Sequence, residues 1–125
     1  MKNTLGLAIV CCASMSMALI QAEDGKIAPD KAKQLLASDS KIVLLDVRTQ
    51  AEYVSGHIAR AILLPYDEIT ATTAAKAIPA KDATVIVYCR SGRRSAIAAA
   101  ELKKLGYSRV FDLGGINDWP YEVVK

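Results

Sequence analysis

The segment Thr84-Val85-Ile86-Val87-Tyr88-Cys89-Arg90-Ser91-Gly92-Arg93-Arg94-Ser95 joins two kinds of periodicity. Thr84 to Tyr88 is a short β-branched and aromatic run, the pattern of a buried strand. Ser95 to Leu105 has helical spacing, with Ala98, Leu102 and Leu105 on one face and Gly106 as the stop. A cysteine at the end of a strand, before a short loop and a helix start, lies where unpaired backbone N–H groups converge. With Arg90, Arg93 and Arg94 nearby, that arrangement favours a thiolate over a thiol and favours an anionic ligand. The residues therefore point to a nucleophilic Cys89 in an anion-binding cradle.

Upstream, Ile42-Val43-Leu44-Leu45 is a continuous apolar run of the kind found in parallel strands covered on both faces. It ends at Asp46-Val47-Arg48. Thr49 then fits a helix cap, with Glu52 three residues on completing a capping box, and Gly56 keeps that helix short. Pro29 marks an earlier helix start, with Leu35-Leu36 as its packed face. Ala61-Ile62-Leu63-Leu64 is a further apolar run stopped by Pro65, and Asp67 to Ala77 is alanine-rich and helix-compatible. Downstream, Arg109 to Leu113 reads as a last strand, Gly114-Gly115 as a break, and Ile116 to Trp119 as one helical turn. Strands alternate with helices, and the connections are long enough for crossovers. The expectation is a small three-layer α/β domain around a mainly parallel sheet. Binding sites in such sheets lie at the carboxyl ends of the strands, where Cys89 and Asp46-Val47-Arg48 both fall.

The chain has 125 residues, 52% of them hydrophobic, so one globular domain is expected. Its first 22 residues read differently. Met1-Lys2 is a short positive start, Leu5 to Ile20 is almost wholly apolar or small, and Gln21-Ala22 precedes the polar Glu23-Asp24-Gly25. This is the pattern of a secretory signal peptide cleaved after Ala22, with Ala18 a second candidate, which implies export to the periplasm. A retained membrane anchor is the alternative, but the run is short for a full span. Cys11 and Cys12 lie inside this run behind Ile9 and Val10, which lipoprotein processing would not favour. The domain, residues 23–125, then keeps the single cysteine Cys89 in a compartment where paired cysteines usually become disulfides.

The formal charge of +3 comes from 16 basic and 13 acidic residues. Apart from the arginines after Cys89, no basic run is interleaved with aromatics, so nothing supports nucleic-acid binding. One histidine and one domain cysteine cannot assemble a metal-ligand set. There is no Gly-rich nucleotide loop, and no cofactor is expected.

Three separated segments resemble the rhodanese family of single-domain sulfurtransferases. The first is Leu45-Asp46-Val47-Arg48 with Glu52-Tyr53 and Gly56-His57-Ile58. The second is Cys89 to Ser95 with its alanine-rich helix and Leu105-Gly106-Tyr107. The third is Val110 to Trp119, containing Leu113-Gly114-Gly115-Ile116. The exported single-domain form is similar to the periplasmic thiosulfate sulfurtransferases of bacteria. Members usually carry glycine near position 60 and asparagine near position 63, where this chain has Arg60 and Leu63.

The resemblance implies a rhodanese-like domain in which the Cys89 thiolate takes the outer sulfur of a donor such as thiosulfate. The persulfide so formed passes its sulfur to cyanide or a thiol. Arg90, Ser91, Gly92, Arg93, Arg94 and Ser95 become the anion-binding loop. Asp46 and Arg48 become supporting residues that tie the end of a strand to the active-site side, with a direct substrate contact by Arg48 as the alternative. His57 is expected to be structural, and Phe111 and Trp119 to be core or cleft wall. The implied partners are a small anionic donor and a small acceptor, with no stable membrane association after leader cleavage and a monomeric domain. A cysteine phosphatase or arsenate reductase is the rival enzyme class. Those loops run Cys-x5-Arg, whereas here Arg94 closes Cys-x4-Arg and Ser95 stands at the longer spacing. A non-catalytic module usually lacks the cysteine, and a redox role would need a second thiol.

Overall fold

The computed structural model describes residues 25–125. The expected leader, 1–22, lies outside them. Helix α1 (Pro29–Ser38) has its proline in the first turn, where the missing N–H costs nothing. Strand β1 (Val43–Asp46) follows, then the short helix α2 (Gln50–Ser55) and strand β2 (Ile62–Leu63). A 3-10 turn (Tyr66–Glu68) leads to helix α3 (Ala71–Ala77). Strand β3 (Thr84–Cys89), helix α4 (Arg93–Lys104), strand β4 (Arg109–Gly115) and a final 3-10 turn (Ile116–Asp118) complete the order.

The four strands form one parallel sheet in the order β2-β1-β3-β4. Because successive side chains alternate between faces, each central strand feeds two cores. Leu45, Val85, Val87, Cys89 and Val110 pack against Ala74 and Ile78 of the α3 region and Ala98, Ala99 and Leu102 of α4. Leu44, Ile86, Tyr88 and Phe111 pack against Ala32 of α1, with Ile58 and Ala61 closing the layer. The result is the three-layer α/β domain with a parallel sheet that the sequence implies. Among the described residues no helix is long and apolar enough to cross a membrane.

Three local expectations need correction. The Asp67–Ala77 stretch is divided between the 3-10 turn and α3, because Thr70 caps a new helix in a reciprocal pair with Thr73. Helix α4 starts at Arg93, two residues before Ser95, with Gly92 as its cap. Gly114-Gly115 does not end β4. The strand continues through both glycines, with a bulge that pairs Tyr88 with Gly114 and Cys89 with Gly115.

Candidate active site

The peptide units of the 89–95 loop are arranged around the Cys89 sulfur. Gly92 adopts φ +112°, a left-handed conformation that only glycine takes without strain, and this turns the chain into α4. Its N–H donates to Cys89 Sγ at 3.0 Å. Burial pushes the Cys89 thiol up, but hydrogen bonds from the Ser95 N–H and hydroxyl and from the Gly92 and Ser91 N–H groups outweigh it. The net effect holds the pKa below the ordinary thiol value. The Ser95 hydroxyl lies 3.0 Å from Gly92 O as well, so its single proton has two acceptors within the loop, that carbonyl and the Cys89 sulfur. The 12-residue helix α4 points its positive end at the same place.

The loop is braced from β4. A side chain at Gly115 would place its Cβ 2.3 Å from Arg90 O and 2.6 Å from Ser91 Cα, so only glycine lets the strand pass this close. The Asn117 N–H donates to Arg90 O at 3.2 Å. These two contacts fix the backbone whose N–H groups face the sulfur.

The arginines differ. Arg90 and Arg93 are exposed and join no ion pair among the described residues. Arg94 is half-buried and forms a two-pronged pair with Glu52 of α2, Nη1 to Oε1 at 2.9 Å and Nη2 to Oε2 at 3.0 Å. Glu52 meanwhile completes the capping box with Thr49. Arg94 above all, then the Thr49 N–H and hydroxyl, draw the Glu52 carboxyl down to about 2 against the opposing effect of burial. Sequence reasoning placed Arg94 in the loop but missed Glu52 as its partner. The signal was indirect: the capping box set Glu52 at the start of a helix following β1, on the same sheet edge as the loop.

Asp46 and Arg48 lie on the other face of the sheet from the sulfur. Asp46 accepts from Arg48 Nε at 2.9 Å, Arg48 Nη2 at 2.7 Å and the Tyr88 hydroxyl at 2.7 Å. Arg48 Nη2 also donates to Gly56 O, and the Tyr88 oxygen accepts from the Ile58 N–H at 3.0 Å. Burial and the bond to Asp46 push the Tyr88 phenol up, so it stays a neutral donor. No buried side-chain N or O among the described residues lacks a partner, as a buried ion pair requires. The network ties the ends of β1 and β3 to the Gly56–Ile58 turn and holds the residue next to Cys89.

His57 stacks on Tyr53 at 3.8 Å with Nδ1 2.9 Å from Tyr53 O, well engaged within its turn. Phe111 is buried in the α1-side core. Trp119 lines a cavity of about 850 Å³ whose walls include Leu36, Ile58, Arg60 and Tyr121 and no residue of the 89–95 loop. Among the described residues no group of three or more His, Cys, Asp or Glu side chains is placed to hold a metal.

The rhodanese-like domain model matches residues 28–121, and the chain belongs to that family. A sulfurtransferase of Allochromatium vinosum is 42% identical over 95 residues, which cover 75% of this chain and 86% of that protein. The thiosulfate sulfurtransferase PspE of Escherichia coli is 38% identical over 81 residues, 65% of this chain and 77% of the relative. A solved rhodanese with anions from E. coli superposes with a TM-score of 0.63 at 37% identity, over 67% of this chain and 98% of that one.

Proposed function

We propose that the chain is a sulfurtransferase that moves the outer sulfur of thiosulfate, or a similar anionic donor, to cyanide or a thiol through a persulfide on Cys89. The carrying observation is the Cys89 sulfur at the carboxyl end of β3, bonded by the Gly92 N–H and held below the ordinary thiol pKa. The sulfurtransferase relatives and the E. coli rhodanese solved with anions support the same reading.

In the first half-reaction the thiolate attacks the outer sulfur of thiosulfate. A new S–S bond forms, the sulfur–sulfur bond of thiosulfate breaks, and sulfite leaves with the electron pair. The site carries the same total charge before and after, so donors that stabilise the thiolate also stabilise the terminal sulfur of the persulfide. In the second half-reaction the acceptor attacks that terminal sulfur and the Cys89 thiolate is restored. Arg90 and Arg93, exposed and outside any ion pair among the described residues, are assigned to drawing in the dianion; Ser91, Gly92 and Ser95 supply N–H groups; Arg94 contributes the flank of the loop. The sequence of the first 22 residues supports a periplasmic location, and the domain acts as a monomer in this reading.

The test is formation of thiocyanate from thiosulfate and cyanide while both concentrations are varied. The expected result is ping-pong kinetics, with turnover falling to background in Cys89→Ser. Retained turnover in a folded Cys89→Ser protein would overturn the mechanism.

A further inference from the structure

Arg94 sits in the first turn of α4, the positive end of a helix, where a second positive charge is unfavourable unless it is matched. A bound anion could match it, but Glu52 already does so at 2.9 and 3.0 Å. Both partners are mostly shielded, the side chains being 21% and 27% exposed, so the pair is less screened than one on open surface. The Arg94 charge also acts on Cys89 and Tyr66. The charged groups near the loop include Arg90 and Arg93 on its own segment and the exposed Asp67 and Glu68 of the 3-10 turn packed against α4, while Asp46 and Arg48 neutralise each other across the sheet.

We propose that Glu52 is a specificity-determining residue that balances the charge of Arg94 and so limits how tightly the loop holds a doubly charged anion. The proposal rests on the sulfur-transfer reading, and there its purpose follows from charge. Thiosulfate enters as a dianion and sulfite leaves as one. A cradle with one more unmatched cation would bind both more tightly, gaining capture and losing release by the same factor. Glu52 touches no reacting atom and acts through Arg94, which makes it a positioning residue.

The two duties of Glu52 can be separated. Glutamine at this position keeps an oxygen for the Thr49 N–H, as capping boxes accept either residue. Glu52→Gln therefore preserves the cap and leaves Arg94 unmatched. Thr49→Ala does the reverse, removing the cap and keeping the pair. The thiolate titration is read as pH-dependent thiolate absorbance, taken as the difference from the same protein carrying Cys89→Ser. Glu52→Gln is expected to lower the Cys89 midpoint by about half a unit. It should also lower the thiosulfate KM and the sulfite inhibition constant by a common factor of about three. Thr49→Ala is expected to lose stability with the midpoint unmoved.

A midpoint that is unchanged or raised in folded Glu52→Gln overturns the proposal, as does an equal shift in Thr49→Ala. The titration needs no turnover, so it separates the two readings. A lowered midpoint in a protein that takes no sulfur from thiosulfate sustains the charge balance and removes the sulfur transfer. Normal sulfur transfer with an unmoved midpoint removes the role of Glu52 alone.

Discussion

Among the turns that use the left-handed backbone region, two meet its cost differently. In the Cys89–Ser95 loop the position is Gly92, φ +112°; in the turn before β2 it is Arg60, φ +77°. For a residue with a Cβ the left-handed region costs roughly 1 kcal/mol. At the reactive loop the backbone itself demands glycine: the Gly92 N–H must face the sulfur at that φ, and a Cβ there would find only an ordinary contact, 3.8 Å from Gly114 Cα, with nothing to offset the strain. At the second turn the side chain is what offsets the strain. The Arg60 guanidinium donates to the carbonyls of Leu36, Ser40 and Ile42, with a longer contact to Asp39 O. These include carbonyls at the end of α1, a helix with no basic residue in its own last turn. A site that works through backbone N–H groups needs bare backbone. A turn that only has to hold position can carry a side chain that bonds elsewhere.

The comparison breaks first, and most visibly, at Gly115. Gly115→Ala puts a methyl against Arg90 O and Ser91 Cα and so displaces the N–H cradle itself. Because misplacing a reacting group by about 1 Å can cost about a hundredfold in rate, turnover is expected to fall by about that factor. Stability should drop by about 1–3 kcal/mol. Steady-state kinetics beside a urea titration check both, and near-normal turnover would mean the loop does not depend on this close approach.

At the other turn the effect falls on stability alone. Arg60→Ala keeps the strained backbone and removes the donor to several carbonyls, most of them solvent-accessible, so a loss of about 1–2 kcal/mol is expected in urea unfolding. Arg60→Gly removes the donor but relieves the backbone, and should cost about 1 kcal/mol less than Arg60→Ala. Thiosulfate kinetics should be unaltered in both. Equal losses in the two variants would show that strain at position 60 is negligible, and the contrast with Gly92 would dissolve.

The contrast also explains what could be read from the chain alone. Apolar runs such as Ile42–Leu45 and Thr84–Tyr88 identify β1 and β3, because a strand buried on both faces needs no alternation. The Thr49–Glu52 capping box is equally local, and so is the end of α4 before Gly106. What could not be read depends on contacts distant in sequence. Gly114-Gly115 looks like a break because two glycines weaken any strand; Gly114 is there for its left-handed φ of +93° at the bulge, and Gly115 because the Arg90–Ser91 backbone presses on it. Arg94 looks like a free anion-binding cation because Glu52 lies 42 residues away. Arg60 looks like a departure from a family glycine because its benefit lies in carbonyls 18 to 24 residues upstream.

The most direct test of the central claim is the intact mass of the purified protein before and after thiosulfate, and again after cyanide. A gain of one sulfur atom that maps to Cys89 is expected, reversed by cyanide with release of thiocyanate. No gain, with Cys89 reduced and open to a small alkylating reagent, would contradict it and turn attention to phosphate-ester turnover at the same loop.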